Sequence, residues 1–324
     1  MTAITKVNET AIISVEYFSD ATIDAFVASR HGSANSCKTY RNATRRLLRY
    51  FADNGIAQPT TADFDGYIAT LRAAGKSAST LRLYSTVGKM FFAYLEKQGI
   101  YRNVTSDAAP LNLRKSKTHN KKALSTAQAQ KLLAAVKGDD EVAFRDRAII
   151  ALALQTGLRT CEISRANIGD LQDEGGYYFL VVQGKGRLSK DADQTVKVAL
   201  PVARLIFAYL NLRGVTDENA PLFTSTSHNV GWAKNSYGVR LSEQSIGKLI
   251  KNYMKTAGIN DARITAHSTR HYAATCAIKS GCDIREVSAM LRHSSINVTM
   301  TYLHDISLET RRAELAVADA LFCA

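Results

Sequence analysis

The chain has 324 residues, 46% of them hydrophobic and 22% charged, the profile of a soluble globular protein with room for one large or two ordinary cores. Forty-two Lys and Arg against 29 Asp and Glu leave a net charge of +13, which favours a polyanionic partner: DNA, RNA or an anionic membrane surface. No apolar run approaches the roughly 20 residues of a spanning helix, and residues 1–17 interleave Lys6, Glu9 and Glu16 with apolar pieces, unlike a signal peptide.

The first hundred residues read as four short amphipathic helices separated by capping signals. Ile23, Phe26 and Val27 mark the apolar face of the first. Tyr40, Leu47, Leu48 and Phe51, at i, i+7, i+8 and i+11, mark the second. Thr61 is expected to N-cap a third helix carrying Phe64, Tyr67, Ile68 and Leu71, with Gly75 as its stop. Ser77 opens the fourth, with Leu81, Tyr84, Phe91, Tyr94 and Leu95, which closes at Gly99. On the second helix Lys38, Arg41, Arg45 and Arg49 fall at i, i+3, i+7 and i+11 away from the apolar face, and Arg46 lies beside them. Charged helix faces are usually no more than solvated. Here a single sign of charge runs along the stripe, which favours phosphate contact, and such contact positions a protein on DNA without reading sequence.

Residues 105–122 break the periodicity, contain Pro110 and carry Arg114, Lys115, Lys117, Lys121 and Lys122. They read as an extended basic linker between a helical domain at 1–104 and a second domain at 123–324, serving as a strap along DNA or as a solvated tether. Ser125 as N-cap and Gln128 at the capping-box position open the second domain. An apolar helix over 144–154 ends at Gly157. Segments 177–182 and 195–200, rich in β-branched and aromatic residues, predict a hairpin about Gly184 and Gly186. Helices return at 202–212, 242–257, 267–279 and 284–291, the last with Asp283 as N-cap and Glu286 at the box position. A tail helix over 307–322 gathers Leu308, Leu315, Ala318, Leu321 and Phe322 on one side. The fold class is therefore mostly α with a small antiparallel sheet. The five cysteines (Cys37, Cys161, Cys276, Cys282 and Cys323) lack CxxC spacing, so zinc ligation and a disulfide framework are not expected and a reducing cytoplasm is the default.

One set of residues carries chemistry. Cleaving a phosphodiester builds negative charge on a group that is already anionic, so it needs a nucleophile, fixed cations and an acid for the leaving 5′ oxygen. Arginine is the best fixed cation, because its planar fork matches phosphate oxygens. In chain order stand Gly157-Leu158-Arg159 with Glu162, Gly184-Lys185-Gly186, His267-Ser268-Thr269-Arg270, Leu291-Arg292-His293, and Tyr302 within Thr299-Met300-Thr301-Tyr302-Leu303-His304. Each piece alone has a plainer reading: a helix-end ion pair for Arg159 and Glu162, chance for His267 and Arg270, a helix-end cation for His293, a structural ring for Tyr302. As an ordered set, spanning essentially the whole chain, they resemble the tyrosine recombinases, the phage-integrase and Xer-like enzymes that cut and rejoin DNA.

The resemblance implies a two-domain C-shaped clamp on duplex DNA, with a helical core-binding domain and a catalytic domain. It makes Tyr302 the nucleophile, Arg159 and Arg270 the phosphate clamps, His267 an acid/base partner, His293 a hydrogen-bond donor to the scissile phosphate and Glu162 the support that orients the site. Lys185 is then the mobile acid for the 5′ oxygen, with Lys190 as fallback. The turn departs from the family pattern in being longer and partly acidic over 188–193. His271 is read as packing or hydrogen bonding beneath the site. The resemblance further implies strand exchange through a Holliday junction in a tetramer on two DNA sites, with no metal or ATP. Partners would be double-stranded DNA, other copies of the chain and accessory DNA-bending or directionality proteins, in the cytoplasm of a bacterium or on its nucleoid. A type IB topoisomerase shares the chemistry and a silent DNA-binding protein shares the charge. The tail beyond Tyr302 argues against the first and the intact catalytic set against the second.

Overall fold

A computed structural model describes residues 19–111, 122–183, 195–226, 237–293 and 295–302. The chain packs as two units, 1–117 and 118–324.

In the first unit α1 (Asp20–Ala28), α2 (Ala34–Asp53), α3 (Thr61–Ala73) and α4 (Ala78–Lys97) each start where a side chain caps the free amides of the first turn. The caps are Ser19, Ser33, Thr60 and Ser77. Thr60 replaces the expected Thr61. Its hydroxyl accepts from the Asp63 amide and the Asp63 carboxylate accepts from the Thr60 amide at 2.8 Å. Thr61 cannot close such a box, because the residue three positions on is Phe64. Phe26, Leu47, Phe64, Phe91 and Phe92 form the buried centre. Phe26 meets Phe91 edge-on at 5.3 Å, a geometry that contributes about 0.5–1.5 kcal/mol beyond area burial. The segment expected as linker begins inside this unit: Thr105 is buried, Ala108 and Leu111 pack on the aromatic core, and the Ala109 amide donates to Asp65 at 3.2 Å.

The second unit is built on α6 (Glu141–Thr156), which is buried along most of its length and packs on α8 (Leu200–Arg213) and α10 (His267–Lys279). Around it lie α5 (Thr126–Ala134), α7 (Thr160–Arg165), α9 (Glu243–Thr256), α11 (Ile284–Leu291) and the short α12 (Ile296–Met300). The sheet has three strands, not the two of the expected hairpin: β1 (Leu171–Glu174), β2 (Tyr177–Val181) and β3 (Thr195–Val198), antiparallel in that order. β1 and β2 are joined by Gly175 and Gly176 at φ 64 and 89, the doubly positive backbone of a two-residue hairpin turn. Leu180, Val196 and Val198 point into the core while Tyr178 packs edge-on against Phe207. Among the described residues no helix is long and apolar enough to cross a membrane.

Candidate active site

The site begins where α6 stops. Gly157 adopts φ 64 and closes the helix in the left-handed conformation. A side chain there is excluded twice, by the backbone and by crowding: an added Cβ would lie 2.7 Å from Leu291 Cδ2 and 3.2 Å from Ala273 Cβ. Two residues on, Arg159 takes an extended conformation and opens α7. Glu162 reaches back from the first turn of α7 and accepts both from the Arg159 amide at 2.7 Å and from Arg159 Nη1 at 2.9 Å. The guanidinium of Arg159 is about a quarter exposed while Glu162 is fully buried, so the arginine presents its free edge outward from a fixed base.

α10 delivers the second guanidinium. Arg270 is the largest fully buried side chain among the described residues. Its Nη1 donates to the Gly157 carbonyl at 2.7 Å, and its Nη2 donates to the Leu291 carbonyl. Burial, then the nearby Arg159, pulls its pKa down to about 10, which still leaves it protonated at neutral pH. His267, one turn earlier on the same face, is exposed.

α11 and α12 complete the constellation. α11 ends at Arg292, which stands at φ 54 and ψ 49. His293 follows the turn, and its Nδ1 lies 2.7 Å from Oγ1 of Thr299 on α12. Burial, with Arg270 and Arg159 next, holds the His293 imidazole down to about 4, so it is neutral at physiological pH. Tyr302, buried at 3% exposure, follows α12. Its ring lies parallel to that of His293 at 6.0 Å and edge-on to that of His271 at 4.9 Å, and His271 in turn meets His267 at 5.2 Å. Ala274, Val287 and Leu291 fill the space beneath the tyrosine.

Arg159, Glu162, His267, Arg270, His293 and Tyr302 are thus brought together from four elements. Lys185 and its neighbour Lys190 lie outside the described residues, as do Arg114, Lys115, Lys117, Lys121 and the tail helix. Sequence reasoning missed two participants. Thr299 orients His293, and Arg292 sends Nη2 to Glu162 Oε2 at 2.7 Å and Nη1 to the Met290 carbonyl at 2.8 Å. Burial raises the Glu162 carboxyl, but Arg292 and the Arg159 amide outweigh it and hold the group below the usual glutamate range. Among the described residues no cluster of His, Cys, Asp or Glu is arranged to hold a metal ion.

The profile of the Phage integrase family matches residues 122–308, and that of the phage integrase N-terminal SAM-like domain matches residues 23–99. The chain belongs to the phage integrase family. Among its relatives is tyrosine recombinase XerA of Pyrococcus furiosus (strain ATCC 43587 / DSM 3638 / JCM 8422 / Vc1), 30% identical over 262 residues that cover 80% of this chain and 82% of the relative. Tyrosine recombinase XerD of Listeria monocytogenes serotype 4b (strain F2365) is 27% identical over 290 residues, covering 88% and 93%. The fold is also that of the XerH site-specific recombinase solved on a palindromic difH substrate in a post-cleavage complex. The TM-score is 0.69 at 20% identity, covering 93% of this chain and 84% of that one. A lambda integrase tetramer bound to a Holliday junction gives 0.63 at 16% identity, covering 87% and 75%.

In this tyrosine recombinase the basic residues of α2 lie in the first unit and divide into two groups. Arg41 Nη2 pairs with Asp24 at 2.7 Å and Arg45 Nε with Asp20 at 3.0 Å, both acids on α1. Arg46 instead lies over the Tyr84 ring at 5.8 Å, and with Arg49 and the paired Arg45 it lines a cavity of about 580 Å³ that also takes in Tyr50 and Tyr67. Lys38 is exposed. The stripe that looked single-signed along one helix is therefore half-neutralised by its neighbour. Lys122 is exposed too, and its amide donates to the Arg263 carbonyl of the second unit at 3.3 Å.

Proposed function

We propose that the recombinase cuts one strand of a specific duplex DNA site through Tyr302 and passes the broken end to a partner strand. Tyr302 Oη attacks the scissile phosphorus, the bond to the 5′ oxygen breaks, and a 3′-phosphotyrosine remains beside a free 5′ hydroxyl. Attack by the 5′ hydroxyl of a partner strand expels Tyr302 and reseals the backbone. Arg159 and Arg270 bind the non-bridging oxygens as the phosphorane gains charge, where preorganised donors act most strongly. Neutral His293 donates a further hydrogen bond, and its contact with Thr299 sets the tautomer and ring plane. His267 takes and returns the proton of Tyr302, Lys185 protonates the 5′ oxygen, and Glu162 orients Arg159.

The observation that carries this reading is a cluster in which Arg270 feels both Arg159 and Tyr302, and the neutral His293 feels both arginines while its ring stacks on Tyr302. Residues 1–104 would bind the duplex through α2, residues 105–122 would run along its backbone, and residues 123–324 would carry the chemistry. Four copies on two DNA sites would exchange strands through a Holliday junction, with the tail of each docked on a neighbour and accessory DNA-bending or directionality proteins setting the outcome. Such a protein works on the nucleoid, in the cytoplasm.

The test is covalent trapping. Duplexes from a randomised pool, nicked so that a cut strand loses its 5′ end, are incubated with the protein, denatured, and the protein-linked DNA sequenced. A denaturation-resistant adduct on a recurring sequence is expected from the wild type and none from Tyr302→Phe, with DNA affinity retained. An adduct formed by the Phe variant would overturn the assignment of Tyr302. Relaxation of a plasmid carrying the recovered site without exchange would instead indicate a topoisomerase.

A further inference from the structure

Arg292 sits in the site at an unusual disadvantage. It is a non-glycine residue at φ 54, a conformation that glycine adopts without strain and L side chains rarely do. Its side chain is 6% exposed, so its charge is buried, and its Nε finds no hydrogen-bond partner among the described residues. A glycine would relieve the backbone strain, the desolvated charge and the unsatisfied donor together. Strained and incompletely satisfied residues gather where function requires them.

The contacts indicate what Arg292 does. Glu162 accepts from two of the site's three guanidiniums, Arg159 and Arg292, and divides its two oxygens between them. Oε1 accepts from Arg159 Nη1, while Oε2 accepts from the Arg159 amide and from Arg292 Nη2. Without Arg292, Oε2 loses its charged donor and the carboxylate can rotate about its own stem, carrying the Arg159 fork with it. The bond also spans 130 residues of sequence. It ties the turn that aims His293 to the start of α7, so the two sides of the phosphate seat share one fixed distance.

We infer that Arg292 is a positioning residue of the recombinase, acting through Glu162 to hold the Arg159 fork at the scissile phosphate and to fix its register against His293. The inference rests on the reading of Arg159 as a phosphate clamp. Arg292 itself touches no reacting atom in this scheme; its effect is on the rate, transmitted through two hydrogen bonds.

The experiment compares wild type, Arg292→Gly, Arg292→Lys and Arg159→Ala on a nicked duplex of the recovered sequence, measuring DNA affinity and single-turnover adduct formation separately. Arg292→Gly suits the left-handed turn, so its thermal melt should stay near wild type. Its affinity should hold within a few-fold while the adduct forms roughly 10- to 100-fold more slowly, the scale on which removing an outer partner of a positioned group acts. Arg292→Lys, which keeps one donor and the charge, should recover part of the rate. The deciding readout is a second substrate whose scissile phosphate carries a methyl in place of one non-bridging oxygen. That phosphate is neutral and has little need of a guanidinium clamp. The defect of Arg159→Ala should shrink on it, and that of Arg292→Gly should shrink in parallel. An Arg292→Gly protein that cleaves both substrates at the wild-type rate overturns the inference, and so does one equally impaired on both. If the wild type itself forms no adduct, the reading of the site fails first and this inference falls with it.

Discussion

Gly157→Ala probes the joint on which the site hangs. At φ 64 an L side chain crowds the following carbonyl, which costs about 1–2 kcal/mol. The new methyl would also press on Leu291 and Ala273 at 2.7 and 3.2 Å, both in a packed interior, and overpacking adds about 1–3 kcal/mol. Together these destabilise the second unit by about 2–5 kcal/mol. For a unit of this size each kcal/mol moves Tm by roughly 2–4 °C, so calorimetry should show its transition falling by on the order of 10 °C. Activity should fall further than folding. The Gly157 carbonyl accepts from Arg270 Nη1 at 2.7 Å, so any backbone shift that relieves the clash also displaces the guanidinium proposed to bind phosphate. Single-turnover adduct formation, measured where the variant is still folded, should drop well below wild type. Adding Leu291→Val removes the closer of the two methyls struck and should recover part of the overpacking share of the stability but not the backbone share. A Gly157→Ala protein that melts within 2 °C of wild type and forms adduct at the wild-type rate would refute the reasoning.

Other outcomes follow from the same geometry. His293 takes up a proton near 6.5 when unfolded but only near 4 when folded. The unfolded state therefore binds more protons in that window, and stability is lost as pH falls through it. The melting temperature should decline between pH 6.5 and 4 with a slope that His293→Gln reduces; an unchanged slope would clear His293 of the effect. Lys185→Ala should fail on ordinary DNA yet cleave a substrate with sulfur in place of the bridging 5′ oxygen, a leaving group that needs no acid, whereas equal failure on both would move the acid role to Lys190 or a histidine. Replacing Arg46 and Arg49 should each lower the salt-dependence slope of binding random DNA by roughly 1. Losing the pre-paired Arg41 or Arg45 should lower it by less, and equal slopes would refute the division of α2. Adduct formation should proceed in excess EDTA without ATP, and loss of the adduct under chelation would point to a metal in the mechanism.

What was legible in the sequence was local. Ser77, Ser125 with Gln128, and Asp283 with Glu286 mark helix starts because a cap acts across three residues, and each caps the helix expected of it. Two adjacent threonines hid which was the cap, although only Thr60 has an acid three positions later. β1 was missed because Leu171-Gln172-Asp173-Glu174 is an exposed, polar edge with no β-branched residue, yet the Gly175-Gly176 turn before β2 signalled it. α12 is too short for periodicity to speak. The residues expected to act on phosphate could be named from their order along the chain. Their support could not, since the Arg292–Glu162 bond joins residues that only the packed fold makes neighbours. The same holds on a smaller scale for Asp20 and Asp24, which lie on a different helix from the arginines they neutralise.

The two arginines proposed as phosphate clamps are held in electrostatically different ways. Arg159 faces a full carboxylate. Among the described residues Arg270 hydrogen-bonds to no carboxylate; its acceptors are the carbonyls of Gly157 and Leu291, where α6 and α11 end. Each helix terminus carries roughly half a negative charge in the aligned peptide dipoles. The pair therefore acts as a diffuse counter-charge for a guanidinium that burial would otherwise make costly. Dipoles fixed in the backbone cannot swing away or be protonated, and they do not compete with a phosphate for the remaining donor edge. In the proposed site, half of the anion seat thus stands before DNA arrives. It also demands a fork that reaches two helix ends at once, which the single ammonium of a lysine cannot supply.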